Sequence, residues 1–275
     1  MIPPISGQPE FVTTNGRERT ANDKCIVMCG IGPEYQEPLH STRLHCEVNV
    51  PEAWRLCYRE LPLGCPPHHE RMYAFKIWAM QRAIDAGFRY ILWMDTSFQP
   101  IRSIQPLWEV IEREGWYAGP QGNAMLGEYC SDDFVRDTSS TGNKEDSRNE
   151  LRSVPLVYSG LFGVDVKSDF GMALWLSWRE TQNLGLWNGA HYNATGEPIT
   201  HVGQKLRGHV SKDASVKGHR HDEAALSWLL WRRGLVPVDR GFLTLESPDG
   251  FIGHKVNLVA PWLTCFDGCE LRQGR

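Results

Sequence analysis

The stretch that decides the fold runs from Phe75 to Pro100 and reads FKIWAMQRAIDAGFRYILWMDTSFQP. Its first half carries apolar residues at helical spacing and ends at Gly87, which suits the left-handed turn that follows a helix. Residues 90–94 are then apolar without alternation, which is typical of a strand buried on both faces in a parallel sheet. A helix followed directly by such a strand predicts an α/β fold.

Polar residues take over where this strand stops. Asp95 follows the last apolar residue, and Thr96 and Ser97 come next. In an open α/β sheet, ligands bind just beyond the carboxyl ends of the strands. Asp95 is therefore a candidate ligand-binding residue; the alternative is that it serves only as a turn residue that ends the strand.

The sequence Trp-Met-Asp-Thr-Ser at 93–97 resembles the segment that carries the Asp-x-Asp motif in GT-A-fold glycosyltransferases. In that family the first aspartate contacts the ribose and the metal, and the last binds the metal that holds the diphosphate. The resemblance therefore implies donor-binding and metal-binding roles for Asp95 and Ser97, with Mn²⁺ or Mg²⁺ as the cofactor. Ser97 stands where the family has an aspartate, and a hydroxyl is a weaker cation ligand than a carboxylate.

The resemblance extends as an ordered set of short motifs over about residues 24–256. It implies a GT-A-like fold, in which a Rossmann-type, mostly parallel sheet carries helices on both faces. We expect a single domain over residues 24–275, preceded by a flexible N-terminal arm at residues 1–23. Two polar stretches, at about 122–152 and 185–220, are predicted to be loop insertions, since each is long and polar.

Further donor-binding residues are predicted near both ends of the chain. By resemblance, Gly30 and Ile31 at the end of the first strand contact the nucleotide base. The same resemblance implies that His254 is a C-terminal metal ligand and that Lys255, the next residue, contacts the diphosphate.

Two cations, Arg71 and Lys76, come at the start of the central helix. A cation at a helix N-terminus opposes the helix dipole. A diphosphate partner would offset that cost, so both are candidate donor-binding residues. The alternative is that both are solvated side chains.

A late helix is predicted to begin near Asp222 and Glu223. GT-A enzymes place an acidic residue before such a helix, near the sugar and the acceptor, so the resemblance implies that Asp222 or Glu223 is the catalytic carboxylate. Asp222 is also well placed to be the N-cap of the helix.

Acceptor-side residues are predicted in two places. One is the small pair that follows a strand near residue 158, and the other is the loop at 201–221, which holds five Lys/Arg and four His against one acid. The candidates are Ser159, Gly160, Lys205, Arg207, His219 and His221.

Net charge and the distribution of apolar residues argue against several classes of protein. A net charge of −4 argues against a general nucleic-acid binder. No apolar run reaches the length of a membrane span, and the N-terminus lacks the pattern of a signal peptide. We therefore expect a cytoplasmic protein without a membrane partner.

These features together predict transfer of a hexosyl or pentosyl group from a nucleotide-diphosphate donor to a hydroxyl of a glycan, a protein or a small molecule. The basic loop leaves open a second acceptor class, the hydroxymethylated bases of phage-type DNA. Ser97 in place of an aspartate leaves open a catalytically inactive nucleotide-sugar-binding module. A nucleotidyltransferase would need a glycine-rich basic signature near the first strand, which the sequence lacks.

Overall fold

The computed structural model describes residues 10–12, 23–139, 144–189, 199–201, 204–206, 210–243, 250 and 252–254. Only the backbone is described at residues 10–12, 144, 199–201, 204–206 and 254. Most of the predicted N-terminal arm lies outside the described residues.

Ten strands and seven α-helices are formed within the described residues. The strands are β1 Glu10–Val12, β2 Lys24–Cys29, β3 Trp54–Tyr58, β4 Tyr90–Met94, β5 Phe98–Pro100, β6 Trp116–Met125, β7 Pro155–Asp165, β8 Ile199–His201, β9 Gln204–Leu206 and β10 Ile252–His254. The helices are α1 Pro33–Asn49, α2 Ala74–Asp85, α3 Gln105–Glu114, α4 Asp132–Thr138, α5 Lys144–Leu151, α6 Asp169–Asn183 and α7 His221–Arg232.

Six strands form the central sheet in the order β1-β3-β2-β4-β7-β6. Strand β2 pairs in parallel with β3 and β4, whereas β7 is antiparallel to both of its neighbours and β1 is antiparallel to β3. Strands β2, β3, β4 and β6 therefore point in the same direction. The prediction of a mostly parallel α/β sheet is confirmed.

Helices cover both faces of this sheet. Alternate residues of β4 enter different cores: Trp93 packs into the core that includes α2, α6 and α7, and Leu92 into the core that includes α1 and α3. All five residues of β4 are buried, as the continuous apolar run predicts. The predicted helix before it ends in Gly87 with φ 86°, where a side chain would be strained.

The stretch at 122–152 differs from the predicted loop insertion. It contains the end of β6 and the helices α4 and α5. Ser131 caps α4, because its Oγ accepts a hydrogen bond from the backbone N–H of Phe134 at 3.0 Å. Arg148 of α5 is buried and donates to the carbonyl oxygens of Gly127 and Cys130. Short polar helices held by caps and one buried arginine carry little hydrophobic periodicity, which explains the difference.

The stretch at 185–220 also contains regular structure, since β8 and β9 pair there as an antiparallel hairpin. Among the described residues, no helix combines the length and the apolar character needed to cross a membrane.

Candidate active site at the carboxyl ends of the central strands

A cavity of about 200 Å³ lies where β2 and β4 end and where α2 and α7 begin. This is the edge of an open α/β sheet at which ligands bind. The residues that line it are Cys29, Ile31, Tyr35, Tyr73, Phe75, Lys76, Asp95, Thr96, Ser97, Ser159, Arg220, His221, Asp222 and Glu223. Six of them are candidates for donor binding or catalysis from the sequence: Ile31, Lys76, Asp95, Ser97, Asp222 and Glu223.

Lys76 is the central charge of the cavity. Its Nζ lies 3.3 Å from each carboxylate oxygen of Asp95 and 2.7 Å from Oδ2 of Asp222. The hydroxyl of Ser159 is 3.4 Å from the same nitrogen. Burial lowers the pKa of Lys76, but the carboxylates of Asp222 and Asp95 outweigh burial and hold the pKa above its ordinary value of 10.5. The ammonium group therefore remains charged at neutral pH.

Asp95 is held in place by hydrogen bonds besides its contacts with Lys76. The indole Nε1 of Trp93 donates to its Oδ1 at 2.7 Å, and its backbone N–H donates to the carbonyl oxygen of Gly160 at 2.7 Å. A Cβ atom at Gly160 would lie 2.5 Å from Oδ2 of Asp95, so only glycine allows this approach of β7 to the carboxylate. The Asp95 side chain keeps 36% of its surface exposed, which leaves it accessible to a ligand.

Asp222 is not the N-cap of its helix. The N-cap is Arg220, and Asp222 lies within the first turn of α7. Its side chain is 4% exposed and is turned inward, because the Ser159 hydroxyl donates to Oδ2 at 2.6 Å and Lys76 binds the same oxygen. Tertiary partners thus replace the local capping bond that the sequence suggests.

Glu223, unlike Asp222, has no cation in close contact and few hydrogen-bond donors in the described part of the chain to stabilise its negative charge. Its side chain is 16% exposed, its nearest cation is Nε of Arg220 at 3.9 Å, and its Oε2 accepts no hydrogen bond among the described residues. Burial is the main cause that raises the pKa of Glu223 from 4.5 to about 7; Arg220 opposes the shift and Asp222 adds to it. A carboxyl group with this pKa can take up or release a proton near neutral pH.

Two residues of the cavity wall have a strained backbone. Tyr73 (φ 54°) and His221 (φ 43°) are the non-glycine residues in the left-handed region within the described part of the chain. Their rings are 5.4 Å apart, and His221 Nδ1 donates to the carbonyl oxygen of Trp187 at 2.8 Å. Such residues cost about 1–3 kcal/mol each and cluster at functional sites.

Three predicted site residues are not part of the cavity lining. Gly30 packs against α1, where a Cβ would meet Leu39 at 2.6 Å. Arg71 is exposed and reaches Gln182 at 3.4 Å. His219 is fully buried, and burial lowers its pKa to about 4, so it adds no positive charge near neutral pH.

The predicted basic loop is only partly described. Arg207 and Lys255 lie outside the described residues, and at Lys205 and His254 only the backbone is described. The His254 backbone pairs with Phe98 in the β10–β5 ladder, so it lies beside the segment that follows Asp95.

Several cavity residues carry no signal that marks them in the sequence. Apolar or mixed runs, which are equally typical of the hydrophobic core, contain five of these residues: Cys29, Tyr35, Tyr73, Phe75 and Thr96. Arg220 belongs to the basic loop, but only the tertiary fold brings it against Glu223 and, at 5.5 Å, over the Tyr129 ring.

The predicted metal ligands Asp95, Ser97 and His254 are not tested as a set, because the side chain of His254 is not described. Within the described residues there is no group of three or more His, Cys, Asp or Glu that could hold a metal ion. Asp95 and Asp222 converge, but both are bound to Lys76. A cation held by Asp95, Ser97 and His254 therefore stays a prediction.

No protein-family model matches the chain, and no curated protein matches it. Among solved structures, the chain is similar to a glycosyltransferase involved in the glycosylation of the major capsid of PBCV-1 (10% identity, TM-score 0.47), with 85% of this chain and 93% of that chain covered. It is also similar to mouse xyloside xylosyltransferase 1 in its apo form (11%, TM-score 0.44; 85% and 98% covered). A third similarity is to core-mannan synthase A from Aspergillus fumigatus in its Mn/GDP-form (12%, TM-score 0.30; 84% and 100% covered). Identities of 10–12% and TM-scores below 0.5 assign neither a donor nor an acceptor to this chain.

Proposed function

We propose that the protein transfers a sugar from a nucleotide-diphosphate donor to a hydroxyl group of an acceptor. The observation that carries this proposal is the pairing, in one cavity at the strand ends, of an accessible aspartate, Asp95, with a carboxyl group of pKa about 7, Glu223. A transferase of this kind needs both a site that holds the donor and a base that activates the acceptor hydroxyl.

On the donor side, we assign to Asp95 the role of accepting hydrogen bonds from the ribose hydroxyls, since its carboxylate is accessible from the cavity. Ile31 and Tyr35 follow β2 on the adjoining wall, where an aromatic ring and an apolar side chain can pack against the faces of a nucleobase. Ser97 adds a hydroxyl next to Asp95 that is suited to the sugar or the diphosphate. These four residues form the proposed donor subsite.

Glu223 is the better candidate for the general base, and Asp222 for its support. Asp222 Oδ2 already accepts hydrogen bonds from Lys76 and Ser159, whereas Oε2 of Glu223 accepts none among the described residues. In the proposed step, the acceptor oxygen bonds to the anomeric carbon while the bond from that carbon to the diphosphate oxygen breaks. The hydroxyl proton passes to Glu223, and the configuration at the anomeric carbon inverts.

The charges of the cavity decide whether it can stabilise the leaving diphosphate by itself. Lys76 and Arg220 are the cations of the lining, and they face Asp95, Asp222 and Glu223. The cavity therefore offers no surplus of positive charge to a diphosphate. Mn²⁺ or Mg²⁺ that enters with the donor, or Lys255 at the C-terminal side, would have to supply it.

The described part of the basic loop gives little support to DNA as the acceptor. Lys217 is bound to Glu128 at 3.0 Å, and Asp213 of the same loop is bound to Arg152 at 2.7 Å. Charge that is already paired attracts a polyanion weakly. A neutral hydroxyl acceptor is therefore the proposed class.

The proposal is tested with a panel of nucleotide sugars, with and without manganese, by measuring binding calorimetrically and nucleoside diphosphate release chromatographically. We expect one donor to bind and to be turned over. Asp95→Asn should weaken donor binding steeply with little change in thermal stability, since the amide oxygen can still accept from the Trp93 indole. Glu223→Gln should bind the donor and lower transfer by about 10²–10⁴-fold.

The matched control is Glu47→Gln, an exposed position on α1 outside the cavity, which should behave as the wild type. Binding of a donor without turnover under any condition would favour an inactive binding module. Failure of every nucleotide sugar to bind would refute the proposal.

A further inference from the structure

Lys76 stands at the point on which two carboxylates converge. Its Nζ is within 3.3 Å of both Asp95 oxygens and 2.7 Å from Oδ2 of Asp222, and the Ser159 hydroxyl completes the surroundings at 3.4 Å. Carboxylate and hydroxyl oxygens that converge in this way are the ligands that Mg²⁺ and Mn²⁺ take in proteins. Here an ammonium group occupies their focus.

We propose that Lys76 is a resident cation that excludes a divalent metal from the Asp95–Asp222 pair, so that truncation of its side chain turns the pair into a metal site. The Lys76 side chain is 3% exposed, so its ammonium group is held between the two carboxylates and away from solvent. The Asp95 side chain is 36% exposed, so an ion could enter from the cavity once the ammonium group is gone.

The exclusion holds across the physiological pH range. Burial acts to neutralise Lys76, but the two carboxylates hold its pKa above the ordinary value of 10.5. The groups that face the ammonium are Asp95, Asp222 and Ser159, with the Tyr73 and Trp93 rings 5.5 Å and 5.4 Å from Nζ to their centroids. No group in that shell would take over the positive charge if Lys76 were replaced. This inference stands apart from the proposed sugar transfer, because it concerns metal binding by the donor-free protein.

The test compares Lys76→Ala with wild type in untagged, full-length protein, by titrating Mn²⁺ and following the electron paramagnetic resonance signal of the free ion. Thermal unfolding is followed with and without the metal. We expect Lys76→Ala to bind Mn²⁺ at least about tenfold more tightly than wild type, since an opposing charge has been replaced by an empty site between two carboxylates. Its unfolding temperature should be lower than that of wild type without metal and should rise when Mn²⁺ is added.

Two controls separate the proposed site from adventitious binding. Lys76→Met removes the charge but keeps the long side chain in place, so it should gain little Mn²⁺ affinity. The double variant Lys76→Ala/Asp222→Asn removes one of the two carboxylates and should lose the gain.

If Lys76→Ala folds only in the presence of Mn²⁺, the proposal is supported directly. If it does not fold at all, Lys76→Ser takes its place, because its short hydroxyl side chain can still donate to a carboxylate while the position of the ammonium group is left open. Equal Mn²⁺ affinity of wild type and the folded variant would overturn the proposal. So would a gain that the Asp222→Asn exchange leaves unchanged.

Discussion

Replacing Glu223 by glutamine should make the protein more stable at alkaline pH. The pKa of this carboxyl group rises from 4.5 in the unfolded chain to about 7 in the folded protein, so folding favours its protonated form. Each tenfold change in proton affinity is worth about 1.4 kcal/mol, which gives a cost of about 3 kcal/mol for holding the ionised group in the fold at pH 8. Glutamine has the shape of the protonated acid and carries no charge, so it should recover most of that amount.

The difference in free energy of unfolding between Glu223→Gln and wild type depends on pH. Below pH 4.5 the group is protonated in both states, and the substitution should have little effect on the free energy of unfolding. Between pH 4.5 and 7 the unfolded chain loses its proton while the folded protein keeps it, so wild type becomes progressively less stable relative to the variant. At pH 5 the difference should be below about 1 kcal/mol, and above pH 7 it should level off near 3 kcal/mol.

The measurement is urea-induced unfolding of wild type and Glu223→Gln at pH 5 and pH 8. A difference of about 3 kcal/mol at pH 8 corresponds to a rise in unfolding temperature on the order of 5–10 °C for a domain of this size. Glu47→Gln, on the exposed side of α1, is the matched control and should show no such pH-dependent gain. A Glu223→Gln variant that is less stable than wild type at both pH values, or equally shifted at both, would refute the reasoning.

Three further predictions concern the same cavity. The value of kcat/KM for transfer should fall below about pH 7, because protonation of Glu223 removes the base. A kcat/KM that does not fall there would exclude Glu223 from that role. Gly160→Ala should lower donor affinity at least about tenfold in calorimetry, because a Cβ 2.5 Å from Asp95 Oδ2 must displace the carboxylate; unchanged affinity would show that Asp95 does not bind the donor. The acceptor KM should be independent of salt and of neutralising Lys212 and Lys217 together, whereas a linear log–log dependence on salt would point to DNA as the acceptor.

The sequence predicts the fold most securely in the stretch from α2 to β4. The continuous apolar run of β4 and the glycine that follows α2 are local signals, and the structure agrees with both. The helices α4 and α5 escape prediction because their stability comes from the Ser131 cap and from the buried Arg148 rather than from an apolar stripe. A reading based on periodicity therefore takes such segments for loops.

The candidate site is predictable in part for a related reason. Asp95, Asp222 and Glu223 stand next to element boundaries, so their convergence at one sheet edge follows from topology. The difference between the surroundings of Asp222 and those of Glu223 does not follow from topology. Asp222 meets Lys76 and Ser159, whereas Glu223 meets few partners, and only the packing of α7 against the sheet decides which carboxylate is satisfied.

A second charge network, formed by the buried Arg148 and the half-buried Asp132, lies outside the cavity. Arg148 binds Asp132 at 2.7 Å, and Asp132 also accepts from the Lys212 backbone N–H and the Ser211 hydroxyl. Burial acts to raise the pKa of Asp132, but these hydrogen bonds and Arg148 bring it below its ordinary value, so the ionised form stabilises the fold.

In the cavity, by contrast, the ionised form of Glu223 destabilises the fold. Glu223 is half-buried with a raised pKa. Its neighbour His221 and, across from it, Tyr73 hold backbone conformations that cost free energy. Selection for stability alone would remove such features, since substitutions that relieve them are readily available. Their concentration around one cavity at the strand ends is what functional selection would produce, whereas the carboxylate of Asp132, paired with Arg148, carries no such cost.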